Sequence, residues 1–245
     1  MNQRFSDLHQ HVLWGMDDGP RDAEAMHALL RQADASGIGL IAATAHAYPE
    51  RRRFDMEQYR RRLVEAQAYC RKEGLPLQIV GGSEIRYCER VPDLLAIGQL
   101  PTLGESRHVL IEFSGDVALE QIGEAADRLY QAGYRPVLAH VERYRVLSRF
   151  PRRAVWAREE YGLIYQMNCD TMLSPRGFFE RRFVRALLEE QAIDLIATDA
   201  HDAIRRPVRM REAFERLSSE YGEAYAQRLT RLGWELLNGK ETGSA

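Results

Sequence analysis

The chain has 245 residues, 45% hydrophobic and 29% charged, which suits a soluble globular protein with a sizeable core. A formal net charge of -2 leaves no global basic field of the kind that nucleic-acid binding uses, so no nucleic-acid partner is expected. Cys70, Cys88 and Cys169 form no CxxC pair, which excludes a disulfide framework and a thiolate metal knot; with no apolar stretch of about 18 residues and no signal-peptide core, the expectation is a cytoplasmic protein without direct membrane insertion.

In chain order, short apolar runs at 5–9, 40–44, 77–81, 109–113, 136–140, 163–168 and 195–198 read as strands, each too short to hold a helix. Between them lie helical stretches. Residues 23–36 put Met26, Leu29, Leu30 and Ala33 on one face. Asp55 and Gln58 resemble a helix cap and its reciprocal partner, opening a helix that runs to about Cys70 and is ended by Gly74. Further helices are expected at 117–132, 152–160, 178–190 and 206–238, the last broken near Gly222, with a frayed tail at 238–245. Strand and helix alternating about seven times imply parallel strands joined by crossover helices. An open doubly wound sheet and a closed barrel both satisfy that pattern, but the GxGxxG of the dinucleotide-binding fold is absent. No linker or composition break divides the chain, so one domain over 1–245 is expected.

The position of the reactive residues is the informative feature. His9 and His11 end the first strand, His46 and Glu84 follow the second and third, Glu112 lies on the fourth, His140 ends the fifth, Asn168 the sixth, and Asp199 and His201 the seventh. In parallel α/β folds the C-terminal strand edge is where sites are built. Five of the seven histidines fall there. The intervals Glu84 to Glu112, Glu112 to His140 and His140 to Asn168 are all 28 residues, each one βα unit, so these side chains return to the same rim. His-x-His and Asp-x-His pairs place two ligand atoms on one side of a strand. Mixed nitrogen and oxygen donors suit Mn, Fe or Zn. Asp17-Asp18-Gly19-Pro20 reads as a turn, and Asp18 can both shape it and bind metal. Arg143 and Arg206, just past strands five and seven, offer planar forks for phosphate oxygens.

Read together, DLHQHVLWGMDDGP (7–20), TAH (44–46), GGSEI (81–85), LIEF (110–113), AHVERY (139–144) and TDAH (198–201) resemble the polymerase and histidinol phosphatase (PHP) family. The closest resemblance is to its bacterial tyrosine-protein phosphatase branch, associated with capsular and exopolysaccharide synthesis. That resemblance implies a distorted (β/α)7 TIM-like barrel and three divalent ions, usually manganese. Carried onto this chain, it implies one ion on His9, His11, Glu84 and Asp199. A second is implied on Glu84, Glu112 and His140, and a third on Asp18, His46 and His201. Arg143 and Arg206 would grip the phosphate, and His201 is a further candidate catalytic group. The family's usual proline before the strand-two histidine and second histidine after it are here Ala45 and Ala47. The implied reaction is hydrolysis of phosphotyrosine by a metal-bound hydroxide. The implied partner is the phosphotyrosine tail of a membrane-bound tyrosine kinase. Two competitors share the motifs: a small-molecule phosphatase of histidinol-phosphate type, and a catalytically weak regulator that binds metal or a kinase. Cysteine-based phosphatase chemistry is disfavoured, because Cys-x5-Arg is not met: Pro175 stands where the arginine should follow Cys169.

Overall fold

The structure, a computed structural model, describes residues 4–237, so the expected frayed tail at 238–245 lies outside the described residues. Seven parallel strands form one sheet in sequential order: β1 (Phe5–Gln10), β2 (Ile38–Ala47), β3 (Gln78–Arg86), β4 (His108–Glu112), β5 (Arg135–Leu138), β6 (Ile164–Asn168) and β7 (Leu195–Ala197). Among the described residues ten α-helices accompany them: α1 (Ala23–Ala35), α2 (Met56–Glu73), α3 (Val91–Ala96), α4 (Leu119–Gln131), α5 (Arg145–Ser148), α6 (Pro151–Glu160), α7 (Cys169–Leu173), α8 (Gly177–Glu189), α9 (Met210–Tyr221) and α10 (Glu223–Leu237).

The sheet closes on itself. At the rim, the Asp199 N–H donates to the His9 carbonyl at 2.8 Å and the His11 N–H to the Ala200 carbonyl at 2.9 Å, and Gln10 and Ala200 form a parallel bridge. Lower down, the β1/β7 seam is held by side chains. The buried Asp7 carboxylate accepts from the backbone N–H and the hydroxyl of Thr198, and α10 packs against both strands, with Ser6 Oγ donating to the Thr230 carbonyl at 3.0 Å. The choice the sequence left open is thus decided for a barrel, distorted because one seam is only partly laddered.

The local signals behave as their chemistry requires. Asp55 accepts the Gln58 N–H at 2.9 Å, a cap worth about 1 kcal/mol. The reciprocal half of the expected box does not form: the Gln58 amide donates instead to the Gly15 carbonyl at 2.9 Å, tying α2 to the loop after β1. Gly74 ends α2 in the left-handed conformation (φ 66°). The expected helix at 206–238 starts later, at Met210, because 202–209 forms a loop. The short helices α3, α5 and α7 carried no sequence signal. Strands β2 and β3 run several residues past their apolar runs, so His46 and Glu84 lie inside strands and are direct partners in the β2/β3 register.

Leu8, Ala42, Leu110, Val137, Ala139, Leu195 and Ala197 fill the barrel's lower interior, together with Leu103 and Leu236. Strand period two then carries the same inward face upward, from Ala42 to His46, from Leu110 to Glu112 and from Ala197 to Asp199. Two strands depart from this phase: after β5 the left-handed backbone of His140 (φ 34°) turns it to the rim although Ala139 faces inward, and β1 is the other. Strict alternation from Leu8 would turn His9 away, and the register irregularity between Asp7 and Gln10 restores it to the interior.

Candidate metal centre

All nine predicted ligands meet at the C-terminal rim of the barrel. His9 Nε2 and His11 Nε2 are 3.2 Å apart. Glu84 Oε2 lies 3.4 Å from the first and 3.3 Å from the second, and Asp199 Oδ1 is 3.4 Å from each. Metal–ligand bonds of about 2.0–2.2 Å put neighbouring donors roughly 3–3.4 Å apart, so His9, His11 and Glu84 already have the spacing of one ion's shell, and Asp199 meets the same two imidazole nitrogens. A second group is Asp18, His46 and His201, with Asp18 Oδ1 3.4 Å from His46 Nε2 and 3.2 Å from His201 Nε2. Between the two groups, Glu84 reaches His46 Nδ1 at 2.8 Å and His140 Nε2 at 2.7 Å. Glu112 stands 3.8 Å from both of these histidines. Glu84 is the hub: the compact group here is His46, Glu84 and Glu112, in place of the expected Glu84, Glu112 and His140, because His46 takes one oxygen of Glu84 and His140 the other.

The donor set fits metal on two further grounds. Buried atoms that hydrogen-bond to no protein group include His46 Nδ1, Glu84 Oε2, Glu112 Oε1 and His201 Nε2, all facing this cluster. Buried polar atoms rarely go unsatisfied, and divalent ions would satisfy these four. The histidine tautomers also suit ligation. His9 Nδ1 is 3.0 Å from Gln166 Oε1, and His201 Nδ1 is 2.9 Å from the Asp199 carbonyl. Donating a proton there leaves each Nε2 bare.

Electrostatics follow from crowding charge in a buried site. Burial opposes ionisation of Glu84, yet attraction to the His9, His11, His140 and His46 rings around it holds its carboxyl well below the usual range. Glu112 goes the other way: burial and the neighbouring Glu84 charge push it up to about 7. Burial pulls His140 down to about 4. Two of the candidate ligand residues also carry backbone strain. His140 (φ 34°) and Asp199 (φ 51°) occupy the left-handed region, which non-glycine residues adopt at a cost of order 1 kcal/mol or more.

Arg143 and Arg206 flank the mouth as expected. Both guanidinium groups rest on Asp199 Oδ2, at 2.6 and 2.7 Å. Asn168 Nδ2 donates to the same oxygen at 2.8 Å. Asp199 therefore joins the ligand cluster through one oxygen and the arginine pair through the other.

Sequence reasoning missed Asp17. Its neighbour Asp18 is 64% exposed and faces His46 and His201, whereas Asp17 is 3% exposed. Its carboxylate accepts from His11 Nδ1 at 2.7 Å and from the backbone N–H groups of His46 at 2.8 Å and Gly19 at 2.9 Å. Burial would raise its pKa, but the His11 charge and these hydrogen bonds bring it down to about 2. A Cβ on Gly19 would lie 2.5 Å from the His11 carbonyl, so only glycine lets the loop come this close. Asp17→Asn is expected to weaken metal binding about 10- to 100-fold, because it loses the charge that orients His11. Metal titration of the variant tests this, and unchanged affinity would remove Asp17 from the account. Gln166 is the other missed group: besides His9, it accepts the His140 N–H at 2.8 Å. No signal in the sequence pointed to it.

The sequence model of a family described as "Capsular polysaccharide synthesis, CpsB/CapC" matches residues 5–234. The chain belongs to the CpsB/CapC family. The PHP-type resemblance read from the motifs agrees with this. Among CpsB/CapC relatives, the tyrosine-protein phosphatase CpsB of Streptococcus pneumoniae is 29% identical over 230 residues, covering 91% of this chain and 93% of that protein. The tyrosine-protein phosphatase YwqE of Bacillus subtilis is 32% identical over 231 residues, covering 91% and 88%. A crystal structure from work on these two proteins, described as unique metal-dependent tyrosine phosphatases, superposes with a TM-score of 0.88 at 30% identity, covering 96% of this chain and 95% of that one. A β-aspartyl dipeptidase from Fervidobacterium islandicum shares only the fold, with a TM-score of 0.53 at 13% identity.

Proposed function

We propose that this chain is a metal-dependent protein-tyrosine phosphatase of capsular or exopolysaccharide synthesis. The carrying observation is the convergence of nine candidate nitrogen and oxygen ligand residues beside two arginines in one rim. The tyrosine-phosphatase names of the relatives favour this reading over a histidinol-phosphate type of enzyme or a non-catalytic regulator.

Three divalent ions, manganese first among them, are the proposed cofactors. His9, His11, Glu84 and Asp199 would hold one, Glu84, Glu112 and His140 a second, and Asp18, His46 and His201 the third. When bound, such ions supply an acidified water and compensate charge on phosphoryl oxygens. The protein's own part is to bind and orient. Arg143 and Arg206 take the phosphoryl oxygens through their forks, where negative charge accumulates. We assign His201 to metal holding rather than to proton donation. Its Nδ1 meets the Asp199 carbonyl at 2.9 Å, which turns Nε2 toward Asp18 and the cluster, and burial lowers its pKa. A tyrosine phenolate, with a pKa of about 10, leaves without a dedicated acid. The proposed substrate is the phosphotyrosine tail of a membrane-bound tyrosine kinase, met from the cytoplasm. Among the described residues no helix is long and apolar enough to cross a membrane.

Phosphate release from a phosphotyrosine peptide should vanish after chelation and return with manganese. Iodoacetamide should leave that activity intact. Burial pushes the Cys70 thiol up to about 11 and raises Cys169 well above the usual range, so neither is a reactive thiolate. Activity that survives chelation but is abolished by alkylation would reverse the assignment.

A further inference from the structure

Beside the metal cluster, a groove of about 680 Å3 opens outward from Asp199, Arg143 and Arg206. Its far wall comes from side chains on two segments, none of which has a part in the reaction. One is the loop between β7 and α9, with Ile204 and Arg205. The other is the turn before α8, with Arg176. The groove's three acidic side chains are already engaged. Asp199 carries Arg143 and Arg206, Asp170 pairs with Arg209 at 3.2 Å, and Glu180 accepts the Arg176 backbone N–H. Arg176 and Arg205 are exposed, and neither guanidinium forms an ion pair among the described residues.

The backbone that carries Arg205 is held in place. Asp202 Oδ1 accepts the N–H groups of Ile204 at 2.7 Å and Arg205 at 2.6 Å, which sets the tip of the loop. The His201 N–H donates to the Arg206 carbonyl at 3.0 Å, anchoring the loop's base at the metal cluster. Ile204, 89% exposed, projects beside Arg205 and is among the largest exposed apolar surfaces of the chain. A groove continuous with the phosphate grip, walled by two unspent arginines and one exposed isoleucine, complements an anionic peptide that also has apolar bulk.

We propose that this groove is a specificity subsite for the peptide around the phosphotyrosine, in which Arg176 and Arg205 bind acidic side chains flanking the phosphorylated residue and Ile204 packs against the peptide between them. This rests on the phosphotyrosine reading of the same site. It makes acidic phosphotyrosine peptides the preferred substrate class over neutral or basic ones. The contribution of each arginine is that of an exposed charge pair, so it is modest singly and is screened by salt.

The test uses the full chain loaded with manganese and two phosphotyrosine peptides of equal length, one with Asp and Glu at the flanking positions and one with Asn and Gln. Both kcat/KM and the Kd of non-hydrolysable phosphonate versions are measured. The wild type should prefer the acidic peptide roughly tenfold at low salt, and the preference should shrink as salt rises. The double variant R176A/R205A should lose the preference yet hydrolyse a small aryl phosphate as the wild type does, since neither arginine touches the phosphoryl group. Efficient hydrolysis of both peptides without preference overturns the subsite and leaves the phosphatase reading standing. If no phosphotyrosine compound is hydrolysed, the phosphatase reading fails, and the phosphonate Kd values judge the groove alone: equal affinities for the two peptides overturn it. A preference that survives in R176A/R205A also overturns it.

Discussion

Glu84→Gln is expected to empty much of the metal centre and to lower kcat/KM for a phosphotyrosine peptide by about a thousandfold or more. Glu84 touches four histidines at once: His140 at 2.7 Å, His46 at 2.8 Å, His11 at 3.3 Å and His9 at 3.4 Å. Its ionised carboxyl is the shared charge between two groups of ligands. Glutamine keeps the shape but removes that charge from a buried position, where it is costly to replace. A thousandfold corresponds to about 4 kcal/mol of lost transition-state stabilisation, within reach of losing one bridging ligand. Metal content by elemental analysis and steady-state kinetics should fall together, while circular dichroism reports an unchanged fold. Full metal occupancy with activity within tenfold of wild type would sink the hub role of Glu84.

Arg143→Ala and Arg206→Ala should each lower kcat/KM about a hundredfold while leaving metal content unchanged. Preorganised cationic donors aimed at developing charge have effects of about this size. Both guanidinium groups sit on one carboxylate oxygen of Asp199, so the two losses should not add: the first removal lets the remaining arginine re-centre. Lysine at either position should restore only part of the activity, because an ammonium cannot offer the paired N–H fork. Inhibition by inorganic phosphate should weaken in parallel. Variants within threefold of wild type, with unchanged phosphate inhibition, would mean that the arginines serve only Asp199.

The sequence carried the candidate ligand set because that information is local and periodic. A donor residue at the end of each apolar run, recurring at one βα interval, marks a common rim whatever the strands' final register. His9, His11, His46, Glu84, Glu112, His140, Asp199 and His201 were legible in this way, and the arginines by their place just past the same strand ends. The capping chemistry of Asp55 and Gly74 was legible for the same reason: each acts on backbone a few residues away.

The tertiary structure decided what depends on approach between distant segments. Asp17 and Asp18 are adjacent and chemically identical, and only the fold turns one inward beneath His11 and the other toward His46 and His201. The β2/β3 register that sets His46 beside Glu84, and the irregularity in β1 that brings His9 inward, are properties of strand pairs. The closure of the barrel lies between its first and last strands, where Asp7 meets Thr198 across 191 residues. A sequence specifies which groups can bind metal through their chemistry and phase. Which of them orient the others is settled by hydrogen bonds whose partners meet only when the barrel closes.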